Sequence, residues 1–362
     1  MKTFGRYFGH RFSTTWLRLL ILSIFSFCFA LLCIDTSSYY FESLDYFEPL
    51  DNIGVYYCAR GYGSIIFVLF ALVIIIPAME FKPFNSKRNI DAVLSFPLSR
   101  TKLLLAHYLN GLTHIFCAYT TSYLALIYET FSAFYNSSDY EYLLTIYFIS
   151  LSLILVFYSF YSFLYVEANN HVDGIFFQII WTIFPIISTF VSDNTIINTL
   201  CEKHSKFDPS WFSVIMPLEE LFNSIDKILR NSVKAYSPNF FNSTEIFSGY
   251  FFWVFLGVAS LTGMFLSFNR KKAENIGGIS NSWFGYKIAI PVGIFMWLDL
   301  TFSSVGFAWS VILGSIIATS SYFVYRRSFK LPIYDWLILS GSFIITPWFL
   351  ELLRDLLTKI MK

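Results

Sequence analysis

The sequence predicts an all-α integral membrane protein, a polytopic helical bundle of about eight or nine transmembrane helices. Three observations carry this expectation. Of 362 residues, 56% are hydrophobic and only 14% are charged, against roughly 25% charged in a soluble domain. Mean hydropathy is +0.58. The apolar mass is divided among nine runs, 16–34, 64–79, 103–127, 142–166, 175–191, 249–268, 285–303, 305–325 and 333–350, each close to the ~20 residues that cross a hydrocarbon core.

The loops between these runs sort by charge, which sets orientation. Residues 1–15 carry Lys2, Arg6 and Arg11, and Phe4, Tyr7, Phe8 and Phe12 share one helical face. This reads as an interfacial N-terminal helix on the inner leaflet. No signal cleavage is expected, because the run from Trp16 to Ile34 exceeds a signal-peptide apolar region and lacks a small-residue exit. Loop 35–63 has Asp35, Glu42, Asp45, Glu48 and Asp51 against Arg60, and loop 129–141 has only acids. Both fall outside. Loop 80–102 is basic, as are 269–286 with Arg270, Lys271 and Lys272, and 326–332 with Arg326, Arg327 and Lys330. These fall inside, so the N-terminus is cytoplasmic. The seventh run is interrupted by Pro291 and Asp299, and the ninth carries Pro347. The C-terminus lies outside if the ninth run crosses and inside if it does not.

The largest outer loop is 192–248. Within it Leu218, Leu221, Phe222, Ile225, Ile228, Leu229 and Val233 recur at helical spacing, with Glu219, Glu220, Asp226, Lys227 and Arg230 opposite. This is an amphipathic helix lying on the outer surface or over the bundle. Cys58 and Cys201 both fall in outer loops, where a disulfide and two unpaired thiols are both open. No Cys/His cluster of metal-ligand spacing occurs.

Several functions lose support. No phosphate-binding loop of the GxxxxGK[ST] type is present, so ATP binding by this chain is not expected. No HExxH or GxSxG occurs. The net charge of +1 gives no sign of a nucleic-acid partner. Within span interiors the sequence offers only Asp299, which argues against a proton- or ion-coupled carrier. His107, Asn110 and His114 lie along one side of span three as a polar track. The two histidines are about 10 Å apart along a helix, too far to chelate one metal, which favours interhelical hydrogen bonding.

The strongest candidate for mechanism is the inner loop 80–102. It holds Lys82, Lys87, Arg88, Arg100 and Lys102 against Glu80 and Asp91. Ile90, Val93 and Leu94 share a face of a short helix, Arg88, Asp91 and Ser95 take the rest, and Pro97 ends it. Such a helix, joined to spans two and three, transmits a push from a soluble partner. An ordinary surface helix fits the same pattern.

The run KRNIDAVLSFPLSRTKLLLAHYLNG resembles the first cytosolic loop of bacterial ABC-2-type transporter permeases. The resemblance rests on Lys87, Arg88, Asp91, Ser95, Pro97, Ser99, Arg100, Tyr108, Leu109 and Gly111. FNRKKAENIGG at 268–278 is similar to the exit of that family's sixth span, through Arg270, Lys271, Lys272, Glu274 and Gly277. YFVYRRSFK at 322–330 fits a longer subgroup with further spans.

The resemblance implies a six-helix core over 16–270 with additional C-terminal spans over 271–362. It implies an exporter permease of the bacterial cytoplasmic membrane, working with cytosolic ATPase subunits and a second permease copy or paralogue. The loop helix becomes the coupling helix, with Asp91 and Arg100 making polar contacts and Val93 and Leu94 inserting into the ATPase. Two departures stand out. No extracytoplasmic domain is expected after the last span, and the second inner loop, 167–174, is short and weakly charged. The apolar, aromatic spans suit a lipophilic or amphipathic cargo. Two other classes stay open: a non-transporting membrane anchor or sensor for an ATPase, and an integral membrane enzyme using His107, Asn110 and His114.

Overall fold

The computed structural model describes residues 2–33, 35–40, 55–60, 62–133, 140–192, 244–280, 282–302 and 307–360. In order these form α1 (Lys2–Cys33), β1 (Asp35–Tyr40), β2 (Val55–Arg60), α2 (Tyr62–Phe81), α3 (Lys87–Leu94), α4 (Arg100–Ala133), α5 (Tyr140–Glu167), α6 (His171–Ser192), α7 (Thr244–Arg270), α8 (Ile288–Phe302), α9 (Phe307–Arg326) and α10 (Ile333–Ile360). A 3₁₀ turn, Lys82–Asn85, joins α2 to α3, and a π turn, Trp283–Lys287, precedes α8.

The chain is a helical membrane protein. Among the described residues five segments are long and apolar enough to cross a bilayer: Thr3–Leu32, Val68–Asn85, Tyr147–Glu167, Tyr250–Arg270 and Ala308–Arg326. His171–Phe184 and Trp283–Leu298 are shorter apolar helices. The expected outer helix around 217–233 and Cys201 lie outside the described residues, as do the side chains of Cys58, Val93, Leu94 and Asp299.

Three local features add to the sequence expectation. Residues 1–15 are helical and continue without a break into the first apolar run, as α1 from Lys2 to Cys33. Part of the first outer loop pairs as an antiparallel hairpin, with Asp35 opposite Arg60 and Tyr40 opposite Val55, a use of Tyr- and Val-containing segments that suits strands. Pro291 does not break the seventh run. Proline lacks an N–H and crowds the carbonyl four residues earlier. Here that carbonyl belongs to Lys287, the last residue of the π turn, so the irregular turn ends where proline would strain a helix.

The described residues group into two compact units. One draws on those within 2–80, 97–162 and 244–262, and the other on those within 81–96, 163–192 and 263–360. In the first unit α1 and α4 pack side by side. Tyr7 meets His107, Thr15 meets Asn110, and the Thr121 hydroxyl donates to the Ser23 carbonyl. These pairs advance together along both helices, so α1 and α4 run parallel. Parallel neighbours require a return crossing between them, the role expected of α2. Tyr108 and Tyr158 stack at 5.1 Å, and Phe157 meets Trp253 edge-on at 4.9 Å. A Cβ on Gly257 would stand 2.8 Å from Val156, so glycine permits the close helix approach common in membrane bundles.

In the second unit α8 and α9 lie against one another. The Trp297 indole N–H donates to the Ser310 carbonyl at 3.0 Å, and Trp297 sits over Gly314. Arg326 forks onto Asp335 at 2.6 and 2.8 Å, closing the turn into α10.

Candidate functional site

The candidate coupling helix α3 is eight residues long. Its first turn forms because the Asn89 and Ile90 N–H groups donate to the Ser86 carbonyl, at 3.1 and 3.0 Å. The Ser95 N–H closes the last turn onto the Asp91 carbonyl at 3.0 Å. Pro97 lies beyond. Ile90 is buried, whereas Lys87, Arg88, Asn89 and Asp91 are exposed. Ser95 and Pro97 are exposed as well, and Arg100 is half-buried at the start of α4. Phe96 is 45% exposed, an apolar side chain presented beside the polar face. Among its described side chains the helix therefore turns Ile90 inward and a charged surface outward.

What holds α3 in place is a polar hub that the sequence reading did not find. Phe84 is buried against Phe268, 4.9 Å away and edge-on. The buried Asn85 donates through Nδ2 to the Tyr165 carbonyl at 3.0 Å. Its Oδ1 accepts from Lys271 Nζ at 2.9 Å. Lys271 also donates to the Val166 carbonyl at 2.9 Å and to the Ala168 carbonyl. One ammonium thus joins the root of α3 to the end of α5 and the exit of α7. Burial pushes the Lys271 pKa down to about 8, partly opposed by Glu167. Glu167 accepts from the Ser267 hydroxyl and, at 2.8 Å, from Ser282.

The second inner loop is tied to the same region. The Gly277 N–H donates to the Asn169 carbonyl at 2.7 Å, and Asn169 Nδ2 donates to the Ile279 carbonyl at 3.1 Å. Asp173 accepts from Ser280 at 2.6 Å. Gly277 has φ +79°, a left-handed conformation that glycine adopts without penalty. A Cβ there would stand 2.7 Å from Cε of Lys87, so the stem of Lys87 lies across this glycine. The segments 85–95, 165–173 and 271–280, separate in sequence, converge.

The three polar residues His107, Asn110 and His114 lie on α4, in the first unit. All three are buried. His107 Nδ1 donates to the Glu80 carbonyl at 2.9 Å and Nε2 is 3.1 Å from the Tyr7 hydroxyl. His114 Nδ1 donates to the Asn110 carbonyl at 2.6 Å. Asn110 Nδ2 donates to Glu80 Oε1 at 3.0 Å. The two histidines share no ligand position. Among the described residues no three His, Cys, Asp or Glu side chains gather as for a metal.

Glu80 is the residue the sequence reading misplaced. It counts there as a loop charge, and Asp299 stands as the sole acid in a span interior. In the structure Glu80 lies within the apolar segment Val68–Asn85 and has no exposed surface. Its carboxylate pairs with Arg18 and, at 3.3 Å, with Arg11. The two arginines are two turns apart on α1, so both reach one acid. That seven-residue spacing was the available signal. The arrangement fastens α1, α2 and α4 together through one carboxylate.

No protein-family model matches this sequence, and comparison with curated proteins and with solved structures finds no match.

Proposed function

We propose that the chain is the permease subunit of an ABC-2-type transporter of the bacterial cytoplasmic membrane. It has a six-helix core and further C-terminal spans, eight or nine in all, and exports a lipophilic or amphipathic cargo. ATP is hydrolysed by separate cytosolic subunits, and a second copy or paralogue completes the pore. The observation that carries the reading is α3, a short helix with Ile90 buried and Lys87, Arg88, Asn89 and Asp91 exposed, rooted by Asn85 on Lys271. A helix of this kind is suited to receive a mechanical stroke. Pressure from the closing ATPase pair enters at Asp91, Ser95 and Arg100, with Val93 and Leu94 as the apolar contact. The Asn85–Lys271 link passes it to the ends of α5 and α7.

The test is purification of the tagged chain from its host in mild detergent. A stoichiometric ATPase partner is expected, and it is lost when Val93→Asp and Leu94→Asp are combined. A stable preparation that never carries an ATPase overturns the reading. An ATPase that stays bound without supporting flux would favour the anchor or sensor class.

A further inference from the structure

Between α6, α8 and α9 the second unit contains a groove of about 520 Å³, lined by Phe184, Tyr286, Gly293, Trp297, Ile317 and Val324 among others. Three of its polar side chains are engaged by backbone carbonyls. The hydroxyls of Ser320 and Ser321 donate to the carbonyls of Ile316 and Ile317 on their own helix, at 2.7 and 2.8 Å. The Trp297 N–H is taken by the Ser310 carbonyl. A polar solute would find little to bind here, whereas hydrocarbon loses nothing.

The groove has a direction. Tyr286 packs against Tyr325 with tilted rings 4.5 Å apart at one end, and Trp297 covers Gly314 at the other. From Gly314 to Val324 a helix rises about 15 Å, which is half of the ~30 Å hydrocarbon thickness. The groove is therefore as deep as one leaflet.

Its two ends differ in charge. At the Tyr286 end stand Lys287, Arg326, Arg327 and Lys330. The carboxylates facing them among the described residues are Asp335, held by Arg326 at 2.6 Å, and Asp173, which is 3.5 Å from Arg327 and already accepts from Ser280. Lys287 rests over the Trp283 ring at 5.5 Å. Trp283, Phe329 and Tyr334 are 70%, 88% and 77% exposed, as aromatic side chains are at a membrane–water boundary. Cation excess and exposed aromatics mark this end as the headgroup level, and the charge-sorted loops place it on the inner side.

We infer that this groove is a binding site for one inner-leaflet anionic phospholipid, with an acyl chain between α6, α8 and α9 and the phosphate beside Lys287 and Arg327. This does not depend on the transport reading. The lipid is a resident of the fold and fills space that the helices leave open.

The experiment is native mass spectrometry of the delipidated full chain, titrated with phosphatidylglycerol, phosphatidylcholine of the same chains, and glycerol 3-phosphate. The wild type is expected to retain one phosphatidylglycerol in preference to phosphatidylcholine. A Cβ on Gly293 would meet only Phe184, at 3.9 Å, so Gly293→Phe projects a ring into the groove and should remove both lipids. Lys287→Gln with Arg327→Gln should keep binding but lose the headgroup preference, by about fivefold per cation, the worth of one Lys or Arg at an anionic surface. Unchanged phosphatidylglycerol retention in Gly293→Phe overturns the proposal. So does glycerol 3-phosphate binding as tightly as the lipid, which would leave only an anion site. If Gly293→Phe does not fold, wild type and Trp297→Phe decide the matter. In phosphatidylcholine nanodiscs, a low fraction of chain-brominated phosphatidylglycerol should quench the Trp297 component first. Quenching of that component no earlier than the rest refutes the site.

Discussion

Replacing Glu80 by glutamine tests the centre of the first unit. The side chain has no exposure, and its oxygens meet Arg18, Arg11 at 3.3 Å and the Asn110 amide at 3.0 Å. Glutamine keeps the shape and can still accept from Asn110. What it removes is the anion between two guanidinium groups whose side chains are only 24% and 20% exposed. Breaking a buried ion pair from one side costs about 3–5 kcal/mol. The residual exposure of both arginines argues for the lower end, about 3 kcal/mol. Arg11→Gln alone should cost about 1 kcal/mol, because Arg18 still pairs the acid. The triple replacement of Arg11, Arg18 and Glu80 by glutamine should lie within about 1 kcal/mol of wild type, since a buried ion cluster gains little over a neutral set. The assay is equilibrium unfolding in mixed micelles of dodecyl maltoside and sodium dodecyl sulfate, followed by tryptophan fluorescence. A Glu80→Gln loss under about 0.5 kcal/mol, or a triple variant as unstable as the sum of its parts, would refute the electrostatic account.

Further expectations follow from the second unit and its neighbours. Lys271 has its pKa lowered from 10.5 to about 8 by folding. Between those values the unfolded chain holds a proton that the folded chain does not, so stability should rise with pH across this window, by up to about 3 kcal/mol. The difference between wild type and Lys271→Met, followed from pH 7.5 to 10.5, isolates that slope, and a flat difference contradicts it. Gly277→Ala should cost about 1–2 kcal/mol through its left-handed backbone. Adding Lys87→Ala should relieve only the steric share, read in the same unfolding assay. Gly111→Ala would bring a Cβ within 2.1 Å of the Tyr158 hydroxyl, an overpacking worth about 1–3 kcal/mol, which Tyr158→Phe should reduce.

Much of the helical framework could be read from hydropathy alone, because an apolar run of span length leaves few alternatives. The five long apolar helices fall on runs the sequence marks. The third apolar run is helical too, within Arg100–Ala133, although His107, Asn110, Thr113 and His114 dilute its apolar character. The short helix before Pro97 was also legible, from the spacing of Ile90, Val93 and Leu94 and the proline stop. Glu80 was not, since a single acid at the end of an apolar run looks like the first residue of a loop. Its burial depends on α1 lying along α4, which nothing near Glu80 states and only the spacing of Arg11 and Arg18 hints at. Lys271 stands between Arg270 and Lys272, three cations of equal promise. Only the convergence of the Asn85, Val166 and Ala168 oxygens singles out the middle one.

The parallel pair α1 and α4 has a geometric consequence. Helices of 32 and 34 residues are about 48 and 51 Å long, well beyond the ~30 Å of hydrocarbon. Fitting either one wholly inside would need a lean of about 50°, outside the 0–40° found for membrane helices. Wherever the pair crosses a bilayer, part of it therefore stands clear as a stiff handle. Glu80 clamps both helices, and a nudge on the protruding end would swing the buried remainder as one piece.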